Sequence, residues 1–385
     1  MPRLRLFQIL SGLCLLLGSI SHSLADALDH WQFQVSGPQI YFFSITYGNG
    51  IFVAGGGVNV SQPPFQAIQT SSNGLTWANR VGVPHNNAIY TLTYGKSNFV
   101  AGTAIDGVNL SSPDGTNWGT INSGAFPMNG LTYGNTNFVG LLINGAGYIA
   151  LSTDIEHWTN RALPTANTLR AICFGSGTFV AVGNGGSIVS SPDPIMLTNQ
   201  VSTTANDLLA VTFGNGTFVA VGKNGTIVCS SNSLNWATQS STTLNDLAGV
   251  AYGNGTFVAV GNAGTVVSST DGTNWVSRNS GVINNFNCIA YGNNMFVAAG
   301  IQGAILTSGD VSVPGLAPSI PPANNGFSML LSGKISQAYR IQSSPDLTPN
   351  SWTDLTACTL TTPNTNILDA NAMSFPTRYY RAVSP

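Results

Sequence analysis

The ten-residue string YGNGTFVAVG, beginning at Tyr252, constrains this chain most because it recurs. Related strings begin at Tyr47, Tyr94, Tyr133, Phe174, Phe213 and Tyr291, and they share Phe52, Phe99, Phe138, Phe179, Phe218, Phe257 and Phe296. Those phenylalanines stand 47, 39, 41, 39, 39 and 39 residues apart. In the sixth copy LAGVAYG (247–253), TFVAVG (256–261), TVVSST (265–270) and WVSRNS (275–280) read as four short strands. Asn254-Gly255 between the first two is a two-residue hairpin signal. Four antiparallel strands per repeat of about 40 residues predict propeller blades, and seven copies predict seven of them.

The seventh copy stops after its third strand, at Thr307. HWQFQVSG (His30–Gly37) precedes the first full repeat and supplies the missing outer strand, so the ring is expected to close through both ends of the repeat region. Closure removes the exposed edge an open array would leave. Trp31 then takes the place in blade seven that Trp275 takes in blade six. Composition agrees: charged residues are 7% of the chain, against about 25% in an average soluble protein. Asn, Ser, Thr and Gly do the solubilising, which suits an all-β chain of tight turns and excludes a coiled coil.

A second motif sits between the third and fourth strands: STDGTNW (269–275), SPDGTNW (112–118), SSNGLTW (71–77) and STDIEHW (152–158). An aspartate there accepts hydrogen bonds from backbone N–H groups of its own turn, glycine takes the conformation a side chain resists, and tryptophan starts the outer strand. Asp114, Asp154 and Asp271, with Trp118, Trp158 and Trp275, are therefore expected to be structural. One carboxylate per turn falls short of the six to eight oxygens calcium takes. These turns and hairpins, over residues 30–310, resemble those of the Asp-box (BNR) propellers, which include sialidases, photosystem II assembly factors and sortilin-type receptors. The turns here are one residue shorter than the usual box, and the copy at Ser191 (SPDPIM) lacks the tryptophan. The resemblance implies an all-β, seven-bladed propeller.

Chemistry of the sialidase kind would need an arginine trio, a tyrosine–glutamate pair and an aspartate acid. The arginines of the repeat region are Arg80, Arg161, Arg170 and Arg278, its one glutamate is Glu156 in a peripheral turn, and the Phe/Tyr-Arg-Ile-Pro motif is absent. A two-carboxylate glycosidase lacks its parts as well. The histidines are too scattered to form a metal site, and no glycine-rich stretch has the helix a phosphate cradle needs. Neither a metal nor a cofactor is expected.

Aligned repeats disagree most near the start of the first strand. Four residues before the shared aromatic stand Phe43, Tyr90, Asn129, Arg170, Leu209, Ala248 and Asn287; six before it stand Tyr41, Ala88, Pro127, Thr168, Asp207, Asp246 and Asn285. These positions fall at one mouth of the ring, together with second turns carrying Asp106 and Lys223 and the blade-one insertion around Val58–Phe65. Tyr41, Phe43, Tyr90, Arg170, Asp207 and Asp246 form the candidate binding ring.

Outside the repeats, residues 1–27 read as a secretory signal: Arg3 and Arg5, an apolar run from Leu4 to Ile20, then small residues with cleavage near Ala25 or Ala27. Losing Arg3 and Arg5 leaves ten basic against fourteen acidic residues, a balance with little attraction for nucleic acid. Cys173, Cys229 and Cys288 lie in apolar strand patterns and read as buried free thiols; with Cys358 they form no metal pair. Residues 311–326 read as a proline-rich linker. AYRIQSS, WTDLTACTL, TNILDA and RYYRAVS in 327–385 read as strands of a small β-sandwich-like domain, similar to a C-terminal module of exported bacterial proteins. The chain is expected to be an exported, monomeric, non-enzymatic binding or scaffold propeller, secreted or held at the cell envelope, whose mouth meets a protein or polysaccharide. The alternatives are a polysaccharide-acting hydrolase or lyase and an assembly factor for a membrane complex.

Overall fold

A computed structural model of the chain describes residues 7–10, 28, 31–36, 40–58, 66–80, 87–103, 107–121, 127–143 and 147–309. Beyond the repeats it describes 315–318, 327–332, 338–345, 348, 351–359, 364–374 and 377–383. The chain divides into two compact units, one spanning Trp31–Gly309 and one drawn from the two ends of the chain.

The first unit is a seven-bladed β-propeller of four-stranded antiparallel sheets. The innermost strands are Ile40–Gly48, Ile89–Gly95, Met128–Gly134, Leu169–Gly175, Leu208–Gly214, Leu247–Gly253 and Phe286–Gly292. Each lies against the next, and the last lies against the first, so the ring is closed. Gln32–Val35 completes blade seven as expected, pairing Gln32 with Thr307 and Val35 with Ala304. Gly74 of blade one ties that joint: its carbonyl accepts from Gln34 Nε2 at 3.1 Å and from Thr307 Oγ1 at 2.7 Å. Trp31 lies half-buried just before the closing strand.

The repeated string explains the blades. The two residues of each inner hairpin lie in the left-handed region, as at Asn254 (φ 45°) and Gly255 (φ 77°), the turn whose twist matches that of the flanking strands. The shared phenylalanine is buried beside the first aromatic of its own hairpin, with rings 4.6 Å apart for Tyr252 and Phe257. The glycine after that aromatic has a steric reason. A Cβ on Gly175 would stand 2.1 Å from Cγ of Phe213 on the next blade, and one on Gly292 of blade seven 2.1 Å from Cγ of Tyr47 on blade one. Seven aromatics thus seat on seven glycines in a closed cycle.

Between blades the core is mostly aliphatic, with the shared phenylalanines among it. Val219, Val221 and Ile227 of blade five, for example, pack on Leu247, Val250, Phe257 and Trp275 of blade six; burying one such side chain contributes roughly 1.5–3 kcal/mol. The four later cysteines are free. Cys229 is buried, whereas Cys173 and Cys288, on innermost strands, are partly so and pack against the cores between blades. Desolvation raises the thiols of all three, that of Cys288 to about 12.

The second unit is a small sandwich. One sheet runs Phe7–Leu10, Thr377–Val383, Ala338–Ser344, Thr353–Thr359, and the other Gly315–Pro318, Phe327–Ser332, Asn364–Asp369. Tyr339, Ile341 and Tyr380 of the first meet Met329, Leu331 and Ile367 of the second in a common core. Buried Asp369 accepts from Tyr380 Oη at 2.9 Å and pairs with Arg378 at 3.1 Å. Two stretches differ from the sequence reading. Gly315–Pro318, read as linker, pairs with Phe327–Ser332; it is an edge strand, the place in a sheet that tolerates proline. Phe7–Leu10, within the segment read as a signal, pairs with Thr377–Tyr380, while the rest of residues 1–27 lies outside the described residues.

Candidate functional site at the mouth of the ring

Every innermost strand carries one irregularity, and it falls at one place in the repeat. The register with the second strand shifts between Phe42 and Ser44, Ile89 and Thr91, Met128 and Gly130, and Leu169 and Ala171. It shifts again between Leu208 and Ala210, Leu247 and Gly249, and Phe286 and Cys288. The skipped residues are Phe43, Tyr90, Asn129, Arg170, Leu209, Ala248 and Asn287: the positions where the repeats disagree are bulges. A bulge leaves one residue out of the ladder and re-aims its side chain. All seven are partly or fully exposed, beside a buried neighbour in each strand.

The structure joins the candidate residues into two groups. Phe43 and Tyr90 on blades one and two meet edge to face, with centroids 4.9 Å apart; Tyr41, half-buried and paired with Gly57, lies two residues before Phe43. On blades four and five, Arg170 Nε donates to Asn184 Oδ1 at 2.6 Å, and Gly185 N donates to Asp207 Oδ1 at 2.9 Å. Lys223 Nζ stands 2.7 Å from Asp207 Oδ2. Lys223 first, and then the Gly185 N–H, hold the Asp207 carboxyl below its ordinary value.

Two of the expected ligand groups do structural work. Asp207 and Asp246 each accept a backbone N–H from the turn of the preceding blade, Asp246 from Asn224 at 2.9 Å. Asn285 accepts in the same way from Ala263. The residue before the aspartate ties its own blade: Asn206 Nδ2 donates to Thr226 Oγ1 and Asn245 Nδ2 to Thr265 Oγ1, both at 2.8 Å. Asn-Asp at 206–207 and 245–246 is therefore a joint between blades, and its 39-residue recurrence was the signal for that. Among the bulges, Asn129 and Asn287 donate to carbonyls of the next blade, Leu169 and Phe42. Among the described candidates, Phe43 and Tyr90 join blades only through their ring contact, while Arg170 and Lys223 bond within their own blades. Asp106 and the insertion at 59–65 lie outside the described residues.

The acidic turns occupy the opposite face. Asp271 Oδ1 accepts from Thr273 N and Asn274 N, both at 2.8 Å, and Asn274 Nδ2 donates to Oδ2 at 2.7 Å. Asp114 makes the same set, and Asp154 holds the N–H groups of Glu156 and His157 and the His157 ring at 2.8 Å. Desolvation of Asp271 works against its charge, but the Asn274 and Thr273 donors outweigh it; the carboxyl lies far below the usual range, as do those of Asp114 and Asp154. Ser230–Trp236 is one more copy, without an acidic residue to mark it in the sequence: Asn232 takes the aspartate's place and accepts from Leu234 N and Asn235 N. Each indole N–H closes its turn, Trp275 on Gly272 O at 3.0 Å and Trp236 on Ser233 O at 3.0 Å. Gly115 packs against Ile51 and Val53 of the preceding blade, and Gly272 against Val219.

Among the described residues no group of three or more His, Cys, Asp or Glu side chains could hold a metal ion. The fold and this mouth define the class: a closed seven-bladed β-propeller whose blades repeat one another on one face and differ on the other. Solved propellers share the fold. YCF48 from Cyanidioschyzon merolae is 14% identical, with a TM-score of 0.57 over 73% of this chain and 98% of its own. A structure of YCF48 bound to a D1 peptide is 18% identical, with a TM-score of 0.57 over 72% and 96%. A catalytically inactive virginiamycin B lyase from Staphylococcus aureus, with quinupristin, is 13% identical, with a TM-score of 0.63 over 72% and 99%. No protein-family model and no curated protein matches the chain.

Proposed function

We propose that the chain is an exported, non-enzymatic binding propeller that captures an extended protein segment across the bulged mouth. The observation that carries this is the coincidence of the seven bulges with the seven most divergent positions. On an otherwise repetitive ring they set an aromatic pair, Phe43 and Tyr90 on blades one and two, apart from the guanidinium of Arg170 on blade four. An aromatic anchor and a guanidinium on a rigid frame are the residue types that dominate protein recognition, and the structurally similar YCF48 is solved with a peptide bound. Of the four histidines, His157 alone lies among the described residues, in a peripheral turn against Asp154. Among the described residues no nucleophile and base converge there or at the mouth.

The test is selection of linear peptides from a displayed library on the purified full chain. Binders are expected, recovered intact by mass spectrometry. Tyr90→Ala and Arg170→Ala should each weaken a selected peptide by about tenfold or more. Peptides that bind both variants as well as the parent chain would move the site elsewhere, and cleaved peptides would make the chain an enzyme.

A further inference from the structure

The outward face of the second unit's four-stranded sheet carries an ordered row of polar and aromatic side chains. Tyr339, Ile341 and Tyr380 point into the sandwich core, so the alternating residues Arg340, Gln342, Tyr379 and Arg381 point away from it. Gln342 stands opposite Arg381 on one side and opposite Asp354 on the other. The row is bonded across three strands. Arg381 Nε donates to Gln342 Oε1 at 2.7 Å, and Gln342 Nε2 donates to Asp354 Oδ1 at 2.7 Å. Arg340 Nη1 stands 3.6 Å from Asp354 Oδ2, both side chains about half exposed. The Arg381 guanidinium also lies over the Trp352 ring, 4.2 Å from its centroid.

Stacking and one hydrogen bond hold the plane of Arg381 while using only Nε; among the described residues neither Nη has a hydrogen-bond partner. That leaves a pre-oriented two-pronged donor, the geometry that matches a carboxylate. Arg340 lies diagonally across from Arg381, at a backbone separation of about 7–8 Å. Tyr379 lies two residues along the strand from Arg381, about 6.6 Å. Arg378 is turned inward onto Asp369, so Arg340 and Arg381 are the described cations of the outward face.

We infer that this face binds an acidic polysaccharide bearing uronate carboxylates, with Arg381 gripping one carboxylate, Arg340 a second, and Tyr379 taking the apolar face of a sugar ring. The site draws on no residue of the propeller mouth. It would let the second unit anchor the chain to a uronate-rich matrix while the mouth works on its own partner.

Binding of the full chain to polygalacturonate, to dextran and to anionic phospholipid vesicles tests this by titration at fixed low salt. Polygalacturonate should bind and dextran should not. Arg381→Gln should weaken binding at least about tenfold, Arg381→Lys should recover part of it, and Arg340→Gln should weaken it less, because Asp354 already shares that charge. Arg278→Gln, the same charge change on a propeller outer strand, should leave binding unchanged. Far-ultraviolet dichroism establishes that each variant is folded, and if Arg381→Gln is not, Arg381→Lys and Arg340→Gln decide. Absence of polygalacturonate binding, an equal loss in Arg278→Gln, or equal binding to the vesicles would overturn the inference.

Discussion

The two faces of the propeller are built from the same repeat yet tolerate change very differently. On the face of the hairpins and acidic turns, each residue serves a neighbour. The carboxylate or amide holds two backbone N–H groups, the indole closes the turn, and the turn glycine sits against the preceding blade. On the mouth face the bulge lifts one residue per blade out of the ladder, so pairing no longer dictates its side chain. Divergence there reflects freedom from the scaffold, and aspartate can mislead: at Asp207 and Asp246 it joins blades, as it joins turns on the other side.

The sharpest way to break this contrast is to add one carbon on the rigid side. Gly175→Ala would place a Cβ 2.1 Å from Cγ of Phe213, with an expected loss of about 3 kcal/mol or a failure to fold; urea unfolding measures it. A loss near zero would mean the aromatic–glycine cycle does not hold the ring. Next, Trp275→Ala should cost about 3 kcal/mol and Asp271→Ala about 1 kcal/mol, whereas Asp271→Asn should cost little, because Asn73 and Asn232 serve the same turn in blades one and five. The carboxyls of these turns are depressed in the folded state, so their contribution is present above the unfolded value of about 3.9 and is lost as pH falls toward their lower folded values. Acid unfolding should therefore shift to lower pH in Asp271→Asn relative to its own neutral stability.

On the mouth face, Asp207→Ala should destabilise by about 1 kcal/mol while Arg170→Ala stays within about 0.5 kcal/mol; the reverse order would return Asp207 to the ligand groups. One effect is a gain. Thr136 is β-branched at φ 64° in its hairpin, and Thr136→Gly should add up to about 1 kcal/mol by relieving that conformation. A last check reads one proton: Asp154 raises the His157 imidazole above its ordinary value. Its nuclear magnetic resonance titration should fall back toward about 6.5 in Asp154→Asn.

Much of the ring was legible beforehand because its constraints are local and repeated. Asn254-Gly255 names its turn, alternating apolar runs name the strands, and the truncated seventh copy points to the segment before the first. The mouth was legible only as disagreement between copies. Nothing in one copy announces a bulge, since the skipped residue looks like any other strand residue until the partner strand is in place. The partner of Asp207 is the N–H of Gly185, on another blade. Within 311–326, Gly315–Pro318 is hidden for a similar reason: it looks extended either way, and only pairing with Phe327–Ser332 makes it a strand.

By itself the sequence determined the number of blades, their strand order, the turn chemistry and the closing of the ring, since each follows from short-range pattern and a fixed repeat. Tertiary structure alone decided which polar side chains join blades and which stand free, and how Arg381, Trp352, Gln342 and Asp354 line up across three strands. Those outcomes depend on register between segments far apart in the chain, and register is set by packing of the whole sheet.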